Sequence, residues 1–178
     1  VFFTTNSLSS EESFTASDSD ITLISDTYSM RAGDEIVVGI RFRLEKDWHT
    51  YWENPGDAGE GASIKWMLPD GLSASDVLWP GPERIPVEPL MTFGYNDEVV
   101  LLTKLIADED LQFPAKIEAK VDWFTCKDIC IPQEGSVDIE IKEGQSQPSI
   151  HSDEIRFFLD QVPTEFSHNY VVQRLDNK

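Results

Sequence analysis

The chain has two cysteines, Cys126 and Cys130, in the segment Asp122-Trp123-Phe124-Thr125-Cys126-Lys127-Asp128-Ile129-Cys130-Ile131-Pro132. A disulfide closing so short a loop is a weak staple. For five residues the chain-entropy model gives only about 2 kcal/mol. A chain of 178 residues can also bury a substantial core without one. A pair that stabilises little is better suited to exchanging electrons, although spacing alone leaves a structural disulfide and a metal site open. Thiol exchange makes two demands. One sulfur must be exposed as a thiolate, and the second must lie close enough to resolve the mixed disulfide. Three intervening residues across a β-turn or bulge can bring two Cα atoms within the usual ~4.4–6.8 Å. Lys127 inside the loop would favour a thiolate and Asp128 would oppose it, while Pro132 stiffens the exit.

Other segments could serve such a site. In Trp48-His49-Thr50-Tyr51-Trp52, alternation puts His49 and Tyr51 on one face and Trp48, Thr50 and Trp52 on the other. Core and rim packing is the plainer use of these rings. Met91-Thr92-Phe93-Gly94-Tyr95-Asn96-Asp97 reads as an aromatic, glycine-containing turn whose Phe93 could cover a reactive sulfur. Asn54-Pro55-Gly56-Asp57-Ala58-Gly59-Glu60-Gly61 lacks a phosphate-loop pattern and any Lys or Arg, and reads as a turn. His49, His151 and His168 match no zinc spacing with the cysteines, and no hydrolase nucleophile elbow is present.

The elements that must position these residues read as β-structure. Ile36, Val38, Ile40, Phe42 and Leu44 alternate with mostly polar neighbours, giving one buried and one wet face over Glu35–Glu45. Ile64, Trp66 and Leu68 repeat the pattern before Pro69-Asp70-Gly71, as do Ile117, Ala119, Val121 and Trp123. Val137, Ile139 and Ile141 give a strand after a turn at Glu134-Gly135, and Val99 to Ile106 is apolar on both faces, as a central strand would be. Short strands between Gly/Pro turns predict a β-sandwich. Residues 1–19 read as a flexible leader with a candidate edge strand at its end, 20–145 as the sandwich, and 146–178 as linker, short helix and tail. Gln145 to Ser149 reads as the linker that joins sandwich and helix, and Ser152 caps the helix. Ile155, Phe158, Leu159 and Val162 form the apolar stripe that docks on the sandwich, and Pro163 ends the helix.

With 14 basic and 33 acidic residues the net charge is −19, which opposes binding to nucleic acid or anionic lipid. No apolar run approaches the roughly 18 residues of a membrane-spanning helix. A start at Val1 rather than Met leads us to expect a processed or excised chain.

Four motifs in order carry a resemblance: Trp48 to Asp57, Trp79-Pro80-Gly81-Pro82, Thr92-Phe93-Gly94-Tyr95, and Val121 to Pro132. Together they resemble the N-terminal periplasmic domain of the DsbD/ScsB-type thiol:disulfide interchange proteins, the ScsB-like branch more closely, over roughly Thr22 to Lys142. The resemblance implies an all-β, immunoglobulin-like sandwich with an inserted redox hairpin and a short C-terminal helix. It implies a periplasmic domain of an inner-membrane protein that receives electrons from membrane-embedded and thioredoxin-like donors and reduces thioredoxin-like partner proteins, with no bound cofactor. Carried over by position, Cys126 and Cys130 are the redox pair, with Cys130 attacking partners. Phe93, then Tyr95, is the cap aromatic, and His49 and Tyr51 line the site. Two departures stand out: the cysteine spacing is tighter than in better-known DsbD domains, and Met91-Thr92 replaces an acidic pair before the cap aromatic. The rival reading is an immunoglobulin-like binding module with a structural disulfide. A third uses the two thiolates to carry copper(I).

Overall fold

In the computed structural model, residues 13–16 and 18–164 are described. Most of the expected leader, 1–12 and 17, and the tail from 165 lie outside them. Two antiparallel sheets pack face to face. One runs in the order β1 (Ser13–Thr15), β2 (Ser19–Ser25), β4 (Glu35–Leu44), β10 (Glu98–Ala107) and β7 (Leu72–Ala74). The other runs β3 (Ser29–Met30), β12 (Cys130–Glu143), β11 (Ala115–Cys126), β5 (His49–Gly56), β9 (Leu90–Asn96) and β8 (Glu83–Val87), with β6 (Ser63–Met67) also paired to β11. The parallel pair β3–β12 is the exception to antiparallel pairing. This is an all-β, immunoglobulin-like sandwich carrying one short helix, α1 (Ser152–Leu159).

The core is what the period of two requires. Ile36, Val38, Ile40 and Phe42 of β4 face Ile117, Ala119, Val121 and Trp123 of β11 and Val137, Ile139 and Ile141 of β12, all buried. Trp123 anchors the end nearest the cysteines, edge-on to Phe42 at 5.8 Å and to Phe14 at 6.1 Å.

Several expectations are corrected. The second face of β4 is wet only at its ends, Glu35 and Arg43: Gly39 and Arg41 are buried in its middle, because α1 packs on β4 and β10 through buried Ile155 and Phe158. Arg41 Nη1 meets Glu154 Oε2 of the helix at 3.3 Å. Ser152 is the first helical residue, not the cap. His151 holds the N-cap position, and the hydroxyl of Ser149 accepts the His151 N–H at 2.9 Å. Residues 145–149 do not run free as a linker. Their carbonyls accept from Ser29 Oγ and Thr27 Oγ1, each at 2.8 Å, and Pro148 bridges to Thr27. No turn forms at Glu134-Gly135, where β12 runs on opposite Asp122 and Val121. Gly135 is needed for close approach instead: a Cβ there would lie 2.9 Å from the Phe14 ring.

One polar group ties the sandwich to the cysteine hairpin. Asp18, 2% exposed, precedes β2 and accepts the hydroxyl of Thr125 on β11 and, at 2.9 Å, Gln133 Nε2 on β12. Its own carbonyl accepts the Glu45 N–H at 2.9 Å. Hydrogen bonds to charged groups are worth about 1.5–3 kcal/mol, and buried donors left unpaired cost a similar amount. Asp18→Ala is therefore expected to lower the unfolding free energy by about 3 kcal/mol in urea titration. Asp18→Asn, which keeps an acceptor for Gln133, should lose less. Equal stability of Asp18→Ala and the parent would mean that the clamp contributes nothing.

Candidate functional site: a disulfide hairpin beneath a glycine roof

Strands β11 and β12 form one uninterrupted ladder from Ala115↔Ile141 to Cys126↔Cys130. The cysteines are directly opposed cross-strand neighbours, with Cα atoms 4.1 Å apart and a sulfur–sulfur bond of 2.03 Å. The Cα separation is just under the usual range because these strands are already paired at that point. Lys127, Asp128 and Ile129 form the exposed tip, closed by Lys127 N–H donating to Ile129 C=O at 3.1 Å. Lys127 Nζ pairs with Asp47 Oδ2 at 3.2 Å, so the one cation in the loop is held by a carboxylate rather than by sulfur. The two cysteines differ sharply in access. Cys126 is 2% exposed, whereas Cys130 is an exposed residue.

Burial of Cys126 follows from its neighbours. Alternation sends Trp123 and Thr125 into the core and Phe124 and Cys126 to the opposite face of the sheet. There β5 joins the end of β11 through the pair Cys126↔His49, so His49 and Tyr51 share the face of Cys126. The Tyr51 hydroxyl donates to Cys126 Sγ at 3.0 Å and lies 3.4 Å from Cys130 Sγ. Tyr51 is 3% exposed, and burial raises its pKa, so it stays a neutral phenol that donates to sulfur. The imidazole of His49 stands edge-on to the Tyr51 ring, centroids 5.4 Å apart. It is 6% exposed, and burial lowers its pKa, keeping the ring neutral near pH 7.

What covers Tyr51 escaped the sequence. Between Tyr51 and Gly56 the β5–β9 register shifts, so that Trp52–Pro55 bulge out. The chain then returns over the Tyr51 ring. A Cβ on Gly59, whose φ is +99°, would fall 2.3 Å from ring carbons of Tyr51, so only glycine permits this contact. Asp57 anchors the loop to β9: its N–H donates to Met91 C=O at 3.0 Å, and its carboxylate accepts the Met91 N–H at 2.9 Å. The run Asn54 to Gly61, expected to be only a turn, is thus the roof of the site. Its density of glycines was the available signal.

The expected cap is corrected in kind. Met91 to Asn96 is not a turn but part of β9, paired on both sides, with Gly94 opposite Tyr51 and Tyr95 opposite Thr50. Alternation therefore puts Phe93 and Tyr95 on the face away from Tyr51. Tyr95 belongs to the core, where its hydroxyl donates to Pro80 C=O at 2.8 Å. Burial, with a contribution from the Glu53 carboxylate, raises its pKa far above the usual phenol value. Phe93 is half-buried and packs against Gly56, where a Cβ would lie 3.0 Å from its ring. The roles expected of these two rings rested on their order in the sequence, which does not show the face.

Among the described residues no group of three or more His, Cys, Asp or Glu is placed to hold a metal ion, and no helix is long and apolar enough to cross a membrane. A thiol pair beside a phenol and a neutral imidazole can exchange disulfides without further groups.

Comparison with known proteins agrees with this chemistry. No curated protein matches the sequence. The N-terminal periplasmic domain of ScsB from Proteus mirabilis superposes with a TM-score of 0.65 at 22% identity, covering 85% of this chain. This likeness concerns the fold, and the chain spans 58% of that protein's length. The GAE domain of yeast GGA1 gives a TM-score of 0.37 at 12% identity, covering 79% of this chain and all (100%) of its own, too distant to carry an argument. Residues 23–140 match the family model described as thiol:disulfide interchange protein DsbD, N-terminal, and over that span, more than half of its length, the chain belongs to this family.

Proposed function

We propose that the domain is an electron relay that reduces disulfides of partner proteins through Cys126 and Cys130. The observation that carries this reading is the unequal access of the two sulfurs: Cys130 sits exposed at the hairpin, and Cys126 lies buried under Tyr51. In the reduced domain the Cys130 thiolate attacks a partner disulfide, forming a mixed disulfide and releasing one partner thiolate, which takes a proton from water. Cys126, deprotonated, then attacks Cys130 Sγ. The Cys126–Cys130 bond forms, the second partner sulfur leaves and is protonated, and two electrons have passed to the partner. Family membership supports the setting. The domain would work in the periplasm, tethered to an inner-membrane protein, refilled by a membrane-embedded and thioredoxin-like donor, with thioredoxin-like acceptors. Roofing by Gly59 and Tyr51 would keep Cys126 from stray oxidants while a partner engages Cys130.

Three outcomes are expected. Equilibration with a thiol–disulfide buffer and mass-tag counting should give a potential between about −180 and −270 mV. A couple well below about −300 mV that reduces slowly would instead mark a structural disulfide in a binding module. Cys126→Ser should accumulate a mixed disulfide with a thioredoxin-like partner on non-reducing gels, and Cys130→Ser should form none. The reverse pattern would reverse the assignment of the two sulfurs. Gly59→Val should push the roof off Tyr51, so that iodoacetamide alkylates Cys126 of the reduced domain several-fold faster than in the parent. Unchanged alkylation would show that the roof does not shield it.

A further inference from the structure

The resolving step has a requirement that the two sulfurs do not meet. Cys126 must lose a proton before it can attack, and at 2% exposure it has little contact with water. A protein group has to take that proton. Most groups around it are already engaged. Tyr51 touches both sulfurs, but as a buried phenol it can pass a proton on and not keep one. Lys127 and Asp47 pair with each other at the tip. From β9, Asn96 stands opposite His49 and donates to Glu83 of β8 at 2.8 Å. In the roof, Asp57 accepts the Met91 N–H. Asp18 binds Thr125 and Gln133, and Thr125 points to the other face of the sheet from Cys126.

Asp128 is exposed at the tip of the loop, so one buried acceptor remains. His49 Nε2 is fully buried with no hydrogen-bond partner, which costs free energy in the disulfide form and is accounted for by a task in another state. Its residue is the cross-strand partner of Cys126, and its ring abuts Tyr51. We propose that His49 is the proton acceptor for Cys126: Nε2, unbonded in the disulfide form, accepts from the Tyr51 hydroxyl once the Cys126 thiol has formed, and in the resolving step the thiol proton passes to it along that contact. The proposal rests on the exchange reading above. It completes the balance of the step, because the imidazolium returns its proton to the departing partner thiolate as the Cys126–Cys130 bond closes. Burial holds the ring neutral near pH 7, so one ring nitrogen carries a lone pair, and the proposal requires the tautomer in which that nitrogen is Nε2.

The test is single-turnover oxidation of the reduced domain by 5,5′-dithiobis(2-nitrobenzoate), from about pH 5 to about pH 8 around the histidine range. Attack by Cys130 releases one chromophore, and resolution by Cys126 releases the second, so the two steps separate in time. In the parent the second phase should slow as pH falls through the depressed His49 pKa, where Nε2 becomes protonated, and level off above it. In His49→Phe the second phase should be roughly 100-fold slower at pH 7, the scale of a lost general base, and should keep rising with pH. The first phase should not change. His49→Gln, closer in polarity, covers the case in which the Phe variant does not fold, and Tyr51→Phe should slow the same phase. A second phase with parental rate and pH profile in the folded His49 variant overturns the proposal. Absence of the first phase in the parent overturns the exchange reading instead, and the proposal with it.

Discussion

The β11–β12 ladder is the constraint on which the molecule depends, because one strand pair builds both the core and the site. Its inner residues, Ile117 to Trp123 and Val137 to Ile141, line one side of the sandwich interior. The same register, carried outward without a break, sets Cys126 against Cys130. Slipping either strand by one residue would turn its apolar side chains outward, so burying the core also fixes the geometry of the sulfurs. Gly135 admits Phe14 over the ladder, and Asp18 binds Thr125 and Gln133 across it, both on the side that faces the other sheet.

On the outer face, chemistry is made by exclusion of water more than by charge. The nearest cation is neutralised by Asp47, and what touches sulfur is a phenol. A neutral donor supports a thiolate less strongly than an ammonium would, which suits the proposed relay, in which the sulfur gives its electrons away instead of resting as a stable anion. The large acidic excess of the chain takes no part in the described contacts to the disulfide.

Much of the fold could be read from residue order, because burial of one strand face leaves a period-two trace: Ile36 to Phe42 and Ile117 to Trp123 lie where alternation puts them. Legibility failed where a second layer acts. Nothing within β4 tells that α1 will cover Gly39 and Arg41, and nothing near Gly135 tells that Phe14, more than a hundred residues earlier, will press on it. At the site, the paired cysteines were legible by type and spacing, whereas Tyr51 entered only through the family resemblance, because core packing was the plainer use of its ring. The face of Tyr95 was not, since an aromatic run is compatible with either parity until a partner strand fixes it. The task of Gly59 was hidden for the same reason. A glycine chosen for a turn and one chosen to admit a ring look alike in sequence.

The directly opposed placement of the two cysteines also sets the mechanical character of the hairpin. With a three-residue tip and a paired ladder beneath it, making or breaking the sulfur bond leaves the backbone little room to rearrange. On the proposed relay reading, such a carrier would store no conformational memory of its oxidation state. A partner cannot read that state from the shape of the domain and has to find it out by chemical contact with one accessible sulfur. Discrimination between charged and discharged carrier would then reside in reactivity, and encounters with the wrong form would end in dissociation without any refolding to undo.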